Sequence, residues 1–423
     1  MDGIEGRPLR VCLDARLESG VSGGTEQVVI GMASGLSQLT EGDEEYLFLA
    51  SRGRDAWITP YIGGNCKLLD APSVQSPKNR AVLDRIPGCR AAWDQFSPIL
   101  FGAMSFKVPV SDGTIENAGV DVMHFLLQRG FITSVPTIYH PHDLQHIHLA
   151  EFFTPRARMG RDILFRTLCQ QAATVSVTAT WGKQDLVRQY GLPEAKVQVV
   201  PLAPSNEAYP VPAEKDLASV RAKYSLQDPF VFYPAQTFPH KNHLALLDAL
   251  ALLRDRKGLV IPFVSSGRCN SFYPRIEKHI KELRLGSQVQ FLGFVSPLEL
   301  QCLYRLCRCV VIPTRFEAAS FPVWDAFLAG TPVACSNVTS LPQQVGDAAL
   351  VFDPEDTQAI ANAIERLWTD QTLCRELIER GRTNVARFSW NRTARQFRAH
   401  YRRIAGRPMS DEDRRLLQAP PLL

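Results

Sequence analysis

Residues 314–336, TRFEAASFPVWDAFLAGTPVACS, hold two carboxylates, Glu317 and Asp325, with seven residues between them. Glu317 falls in a loop of small residues, Ala318, Ala319 and Ser320, that follows an apolar run at 309–312 and gives way to Phe321 and Pro322. Proline suits the first helical position and Gly330 suits the helix end, so the spacing predicts a strand, a short loop and a short helix. Such a loop offers peptide N–H groups at the positive end of a helix, where a diphosphate binds well. In that setting Glu317 can meet sugar hydroxyls while Asp325 accepts hydrogen bonds from a ribose diol. The bland alternative makes Glu317 a surface acid and Asp325 a helix-start residue favoured by the dipole. The turn alone leaves both open.

A second run, FVFYPAQTFPHKNHLALLDALALL, places Lys241 where a polar turn enters an apolar helix. One charge-assisted contact from this lysine to phosphate would contribute roughly 1.5–3 kcal/mol. A cation at a helix start is disfavoured by the dipole, a mismatch that favours an anionic ligand there. A third strand ends at Ser265-Ser266-Gly267, whose small side chains let a backbone approach a ligand or simply make a turn. Early in the chain, Gly20-Val-Ser-Gly23-Gly24-Thr25 opens the first long helix without the spacing of a dinucleotide fingerprint. Farther on, YHPHDLQHIHLAEFFTP crowds histidines after a strand; His142 and Asp143 are the functional candidates, and His140, His146 and His148 read as structural.

The elements that must position these groups alternate. Strand patterns occupy 10–15, 46–50, 120–125, 136–140, 174–178 and 197–201, then 230–233, 261–265, 290–291, 309–312, 332–335 and 349–352, with helical spacing between them. This rhythm predicts parallel sheets wrapped by helices, and a Pro-dense stretch at 201–212 separates two such halves. The stretch 68–107 has no clear pattern. Ser296-Pro297-Leu298-Glu299 carries three helix-start signals together.

The chain has 423 residues, enough for two cores, and its formal net charge of +4 is too small to point to nucleic acid. No signal-peptide stretch or apolar run long enough to span a membrane occurs, and the ten cysteines show no zinc spacing. These features lead us to expect a cytoplasmic protein with reduced, buried thiols. Arg156, Arg158, Arg161 and Arg166 among apolar neighbours suggest either peripheral contact with the inner face of a membrane or an ordinary solvated helix face. Asp411-Glu412-Asp413 in the charged tail is expected to be solvated.

Between residues 230 and 401, the pieces PAQTFPHKNH, FLGFVSPLEL, the Glu317/Asp325 loop and helix, SNVTSLPQQVGDAALVFDP and RFSWNRTARQF occur in an order that resembles the retaining glycosyltransferases of family 4. The resemblance implies a GT-B α/β fold, with two Rossmann-like doubly wound domains facing across a cleft. It places an N-terminal acceptor domain at 1–205, a nucleotide-sugar domain at 206–385, and a returning helix plus tail at 386–423. It gives the donor diphosphate to Lys241, the transferred sugar to Glu317, the ribose to Asp325, and phosphate or sugar contacts to the N–H groups of Ala319, Ser320 and Phe321. Gly23, Gly24, Gln236, Thr237, Ser266 and Gly267 would approach the donor, and His142-Asp143 would face its sugar.

Some positions depart from the family. Asp325 stands where Glu is more frequent, Ala318 and Ser320 replace glycines, Gln343 replaces a frequent Glu, and Gln236 and Thr237 stand where many members carry an Arg. No metal or other cofactor is expected. The implied partners are a nucleotide-diphosphate sugar and a glycan or lipid-linked acceptor in polysaccharide or cell-envelope synthesis. The HKNH neighbourhood resembles mannosyl-transferring members. A nucleotide-sugar epimerase of the same architecture and a non-catalytic nucleotide-sugar-binding protein are the alternatives.

Overall fold

The computed structural model describes residues 7–20, 23–71, 93–95, 97 and 106–423. Most of the patternless stretch 68–107, together with Val21 and Ser22 of the glycine-rich segment, lies outside the described residues. The chain forms two compact units, one of Met1–Pro201 with Trp390–Pro421, the other of Leu202–Ser389 with Leu422–Leu423.

The first unit is built on a seven-stranded sheet of order β3-β2-β1-β4-β5-β6-β7, every pairing parallel. Its strands are β1 (Leu9–Asp14), β2 (Glu44–Ser51), β3 (Cys66–Ala71), β4 (Val122–Phe125), β5 (Thr137–Tyr139), β6 (Thr174–Val177) and β7 (Val197–Val199). Central strands are buried on both faces, as parallel sheets require, so β4 reads as an unbroken buried run. The sequence pattern gave no sign of β3, an edge strand whose CKLLDA is buried only at its two ends.

Helix Trp390–Ile404 belongs to this unit. It lies so close to helix Gly24–Ser37 that a Cβ on Gly31 would sit 2.0 Å from the Trp390 ring, and one on Gly35 would sit 2.3 Å from the Trp390 carbonyl oxygen. Thr393 Oγ1 donates to Pro201 O at 2.8 Å, and the Tyr401 hydroxyl lies 2.7 Å from His124 Nδ1. The acidic tail corrects the sequence expectation, because Asp413 is fully buried. Its carboxylate lies 2.7 Å from Arg402 Nη1 and accepts from Ser410 N in a capping box at the start of helix Asp411–Gln418.

The arginines of helix Pro155–Gln171 are mostly engaged within the chain. Arg156 donates to Ser97 Oγ and covers the Phe106 ring, Arg161 donates to Gln128 Oε1, and Arg166 pairs with Asp162, while Arg158 is exposed. That helix face therefore offers little free positive charge. No helix among the described residues is long and apolar enough to cross a membrane. The nine described cysteines are free thiols, seven of them buried, with Cys269 exposed.

The second unit has a six-stranded parallel sheet of order β10-β9-β8-β11-β12-β13. Its strands are β8 (Val231–Pro234), β9 (Phe263–Ser266), β10 (Val289–Phe291), β11 (Cys309–Ile312), β12 (Val333–Ser336) and β13 (Leu350–Phe352). Helix His243–Lys257 buries Leu246, Leu247, Leu250 and Leu253. At Pro297–Leu306 the expected capping box is present, with Ser296 Oγ accepting from Glu299 N and Glu299 accepting from Ser296 N.

Candidate functional site

In both sheets the winding reverses in the middle, between β1 and β4 in one and between β8 and β11 in the other. Loops leaving two such strands at their carboxyl ends diverge to opposite sides and leave a crevice, the place where open α/β sheets bind ligands. In the second unit these are the loops that carry Lys241 and Glu317.

The two loops are tied together. Arg315 N donates to His240 O at 2.8 Å and Thr314 Oγ1 donates to the same oxygen at 3.3 Å. Lys241 Nζ stands 2.6 Å from Glu317 Oε2, with the two side chains about one-fifth exposed (21% and 17%). The lysine that the dipole of helix His243–Lys257 disfavours thus has a carboxylate partner in the chain itself. An anion arriving here meets a cation already in place and able to exchange partners.

The loop after β11 has little side-chain substance of its own and is held from outside. Thr339 Oγ1 donates to Glu317 O at 2.5 Å and accepts from Glu317 N at 3.2 Å, and Ser340 Oγ donates to the carbonyls of Glu317 and Ala318. Ser320 N donates to Gln344 Oε1 at 2.8 Å, and Gln344 Nε2 donates to Ser320 O at 2.7 Å. Among the described residues the N–H groups of Ala318 and Ala319 find no acceptor, and both residues are half-buried. They stand just before helix Phe321–Ala329, as an anion site requires. Thr339, Ser340 and Gln344 escaped the sequence reading. Their only signal is polarity in a segment, SNVTSLPQQVG, that otherwise reads as strand end and turn.

Three residues expected at the donor are buried against the chain's own groups. Ser320 is fully buried, and its peptide N–H is taken by Gln344, so it is not a free donor. Thr237 is also fully buried and exchanges hydrogen bonds with Asn270, its hydroxyl donating to Oδ1 and accepting from the backbone N–H. Asp325, expected to take the ribose diol, is 2% exposed, and both its oxygens are engaged. Ser205 Oγ donates to Oδ2 at 2.5 Å and Asn206 N donates to Oδ1 at 3.0 Å. Burial pushes its carboxyl up to about 7, against the lowering effect of those hydrogen bonds. The physical reason is length and position: Asp325 lies a full turn inside the helix, on the face that packs against Ser205–Ala208.

Gly267 does bring backbones together, but they are the protein's own. At φ +129°, a Cβ there would stand 2.6 Å from the Ala235 carbonyl carbon and oxygen. Ser266 is buried, while Gln236 and Phe321 are half-buried.

The first unit holds the remaining candidates. His142 has φ +63°, a left-handed conformation rare for a residue with a Cβ and concentrated at functional sites. Its ring stacks on His140, with centroids 4.2 Å apart. Its Nε2 lies 2.8 Å from Leu126 O, so Nε2 carries the proton and Nδ1 is left as acceptor in the neutral ring. Burial lowers its pKa, which favours that neutral form at pH 7. Asp143 Oδ1 accepts from Gln145 N, fixing the turn.

His140 is fully buried, His146 is buried against Phe165, and His148 Nε2 lies 2.8 Å from Asp185 Oδ2, all consistent with structural roles. Among the described residues no three His, Cys, Asp or Glu side chains converge as a metal-ligand set. Gly23 (φ +56°) and Gly24 are exposed at the start of helix Gly24–Ser37, and Glu26 in its first turn accepts from Gly20 N and Ser19 Oγ.

Residues 218–384 match the family described as Glycosyl transferases group 1, a stretch that contains Lys241, Glu317 and Gln344. The chain is 29% identical over 285 residues to the O-antigen chain mannosyltransferase B of Escherichia coli, covering 63% of this chain and 73% of that protein. It is 34% identical over 180 residues to the serotype-specific mannosyltransferase WbdA of Escherichia coli, covering 42% of this chain and 22% of that protein. Among solved structures, HepE of Anabaena in complex with UDP and glucose matches with a TM-score of 0.67 at 16% identity, over 93% of this chain and 99% of that one. The fold is of the GT-B type, two Rossmann-like units in one chain.

Proposed function

We propose that this chain is a glycosyltransferase that takes a sugar, mannose or a close relative of it, from a nucleotide-diphosphate donor and adds it to a glycan in polysaccharide synthesis. The observation that carries this reading is the Lys241–Glu317 pair at the switch point of the second sheet, within the stretch that matches the family. Two relatives named as mannosyltransferases support the choice of sugar.

Glycosyl transfer develops positive charge at the anomeric carbon and negative charge on the departing diphosphate. Stabilising that negative charge is the larger task, and fixed donors do it without reorganisation. In this reading Lys241 moves from Glu317 to the diphosphate, and the N–H groups of Ala318 and Ala319 add dipoles at the helix start. Glu317, released from the lysine, accepts from the hydroxyls of the transferred sugar. His142, neutral with Nδ1 free to accept, orients rather than attacks.

Retention of configuration belongs to the same proposal. The bond from the anomeric carbon to the diphosphate oxygen breaks, and the acceptor oxygen bonds that carbon on the same face. The acceptor proton passes to the diphosphate. A lipid-linked acceptor at the inner face of a membrane is its furthest extension.

The test is incubation with GDP-, UDP- and dTDP-sugars, with and without oligosaccharide acceptors, followed by mass spectrometry of the glycan. The expected result is a glycan one hexose heavier with one donor only, and anomeric proton couplings that match the donor's configuration. Epimerised donor formed without acceptor, or donor binding without product, overturns the proposal.

A further inference from the structure

The loop that carries Glu317 ends at Ser320, the residue that should cap helix Phe321–Ala329, yet the Ser320 side chain makes no capping hydrogen bond. Its hydroxyl is buried and has no partner among the described residues. A helix start inside a protein needs an acceptor for its first N–H groups. Here the Ser320 carbonyl accepts from Val323 N, and the N–H of Ser320 itself finds its acceptor on another element. Gln344, fully buried on helix Leu341–Val345, turns its carboxamide to Ser320 so that Oε1 accepts from Ser320 N and Nε2 donates to Ser320 O. Donor meets acceptor at both atoms, which fixes the orientation of the amide without ambiguity. Gln344 is itself held from behind, since Asn384 Nδ2 donates to its carbonyl at 3.1 Å.

We propose that Gln344 is a positioning residue for the donor loop, and that its paired hydrogen bonds to Ser320 set where Glu317 and the Ala318–Ala319 N–H groups stand during transfer. The inference rests on the function proposed above and adds to it a residue that touches no substrate. The physical case is one of anchorage. Between Glu317 and Phe321 the side chains are two methyl groups and a buried hydroxymethyl that reaches no hydrogen-bonding partner among the described residues. Thr339 and Ser340 fix the start of this stretch; at its end Gln344 takes the Ser320 N–H and joins Val323 N and Trp324 N on the Ser320 carbonyl. Without Gln344 the Ser320 N–H loses its acceptor and the end of the loop rests on the first helical turn alone, which leaves the Ala318–Ala319 N–H groups free to turn away from the positions a charge-stabilising site requires.

Two variants test it. Gln344→Met keeps length and volume but has neither donor nor acceptor. Gln344→Glu keeps both only while its carboxyl is protonated, because the ionised form turns a second acceptor towards the Ser320 carbonyl. For Gln344→Met we expect kcat with the nucleotide sugar to fall more than tenfold, while affinity for the free nucleoside monophosphate stays within twofold. The Ser320 amide should exchange slowly in the wild type and faster in this variant. For Gln344→Glu, kcat relative to wild type should be highest in acid and fall at least fivefold as pH rises through the carboxyl's titration, at temperatures where both proteins are folded.

An active wild type with Gln344→Met at full kcat, or a Gln344→Glu ratio flat with pH, overturns the positioning role even if melting temperatures move. A wild type that turns over no nucleotide sugar overturns the functional reading and this role with it, while Ser320 exchange in the two proteins still reports whether the contact exists.

Discussion

Lys241 and Glu317 are each partly compensated by the other, so their substitution separates ligand chemistry from stability. Lys241→Ala removes the cation and leaves a carboxylate with less than one-fifth of its side chain exposed. We expect kcat/KM for the donor to fall more than tenfold, a loss above about 1.4 kcal/mol of transition-state stabilisation. Steady-state kinetics check it, and unchanged values would remove Lys241 from the site. Glu317→Gln keeps an oxygen for the lysine but loses the charge that orients sugar hydroxyls. Turnover should drop further than nucleotide affinity, a split readable from kcat against a calorimetric Kd; equal losses would point to a structural role.

Asp325 makes a prediction of the opposite kind. Its carboxyl is raised to about 7 by burial, against an ordinary value near 4. Between those two values the folded protein holds a proton that the unfolded chain has released, so stability falls as pH rises from about 4 to about 7 and is flat beyond. Asp325→Asn, whose amide oxygen still accepts from Asn206 N, should abolish that slope in urea unfolding from pH 4 to pH 8. A slope identical to wild type would show that the carboxylate is comfortable where it is.

At the scale of elements, what holds the site is the approach of one loop to another. Gly267 follows β9 at φ +129°, and its Cα faces the Ala235–Gln236 peptide that leaves β8. Gly267→Ala adds a Cβ 2.6 Å from backbone atoms that have no side-chain freedom to yield. We expect it to destabilise the protein by about 2–4 kcal/mol through combined strain and overpacking, measured by denaturant unfolding. It should also shift the loop that carries Gln236 and Lys241, raising KM for the donor. A neutral Gly267→Ala would mean that the two strand-end loops do not touch in solution. Helix capping supports the same edge of the sheet, at Ser296–Glu299 in the expected way and at Ser320 by the borrowed amide of Gln344.

At the scale of the whole molecule, the chain leaves its first unit at Pro201 and comes back to it at Trp390. The returning helix is part of the first unit's core: Trp390, Phe397 and Tyr401 are each at most 1% exposed, and Gly31 and Gly35 make room for the tryptophan. Gly31→Val should undock this helix at a cost of about 3 kcal/mol or more. The readouts are a red shift in tryptophan emission and protease cleavage near residue 389. Resistance equal to wild type would contradict the close packing.

The sequence by itself determined the alternation of strands and helices, the two-fold repetition of that alternation, the capping box at Ser296, and the loop and helix around Glu317. All of these are written in periodicity and turn chemistry, which act over a few residues. Tertiary structure alone decided which of those pieces meet. Lys241 and Glu317, 76 positions apart, become partners because the strand order sets β8 beside β11. Asp325 turns to Ser205 and Asn206 rather than outward because helix packing chose its face. Gln344 reaches Ser320 across 24 positions because β12 and the helix after it return to the edge where the loop begins. Periodicity tells a side chain which face it occupies, whereas its partner depends on what strand order and packing bring to that face.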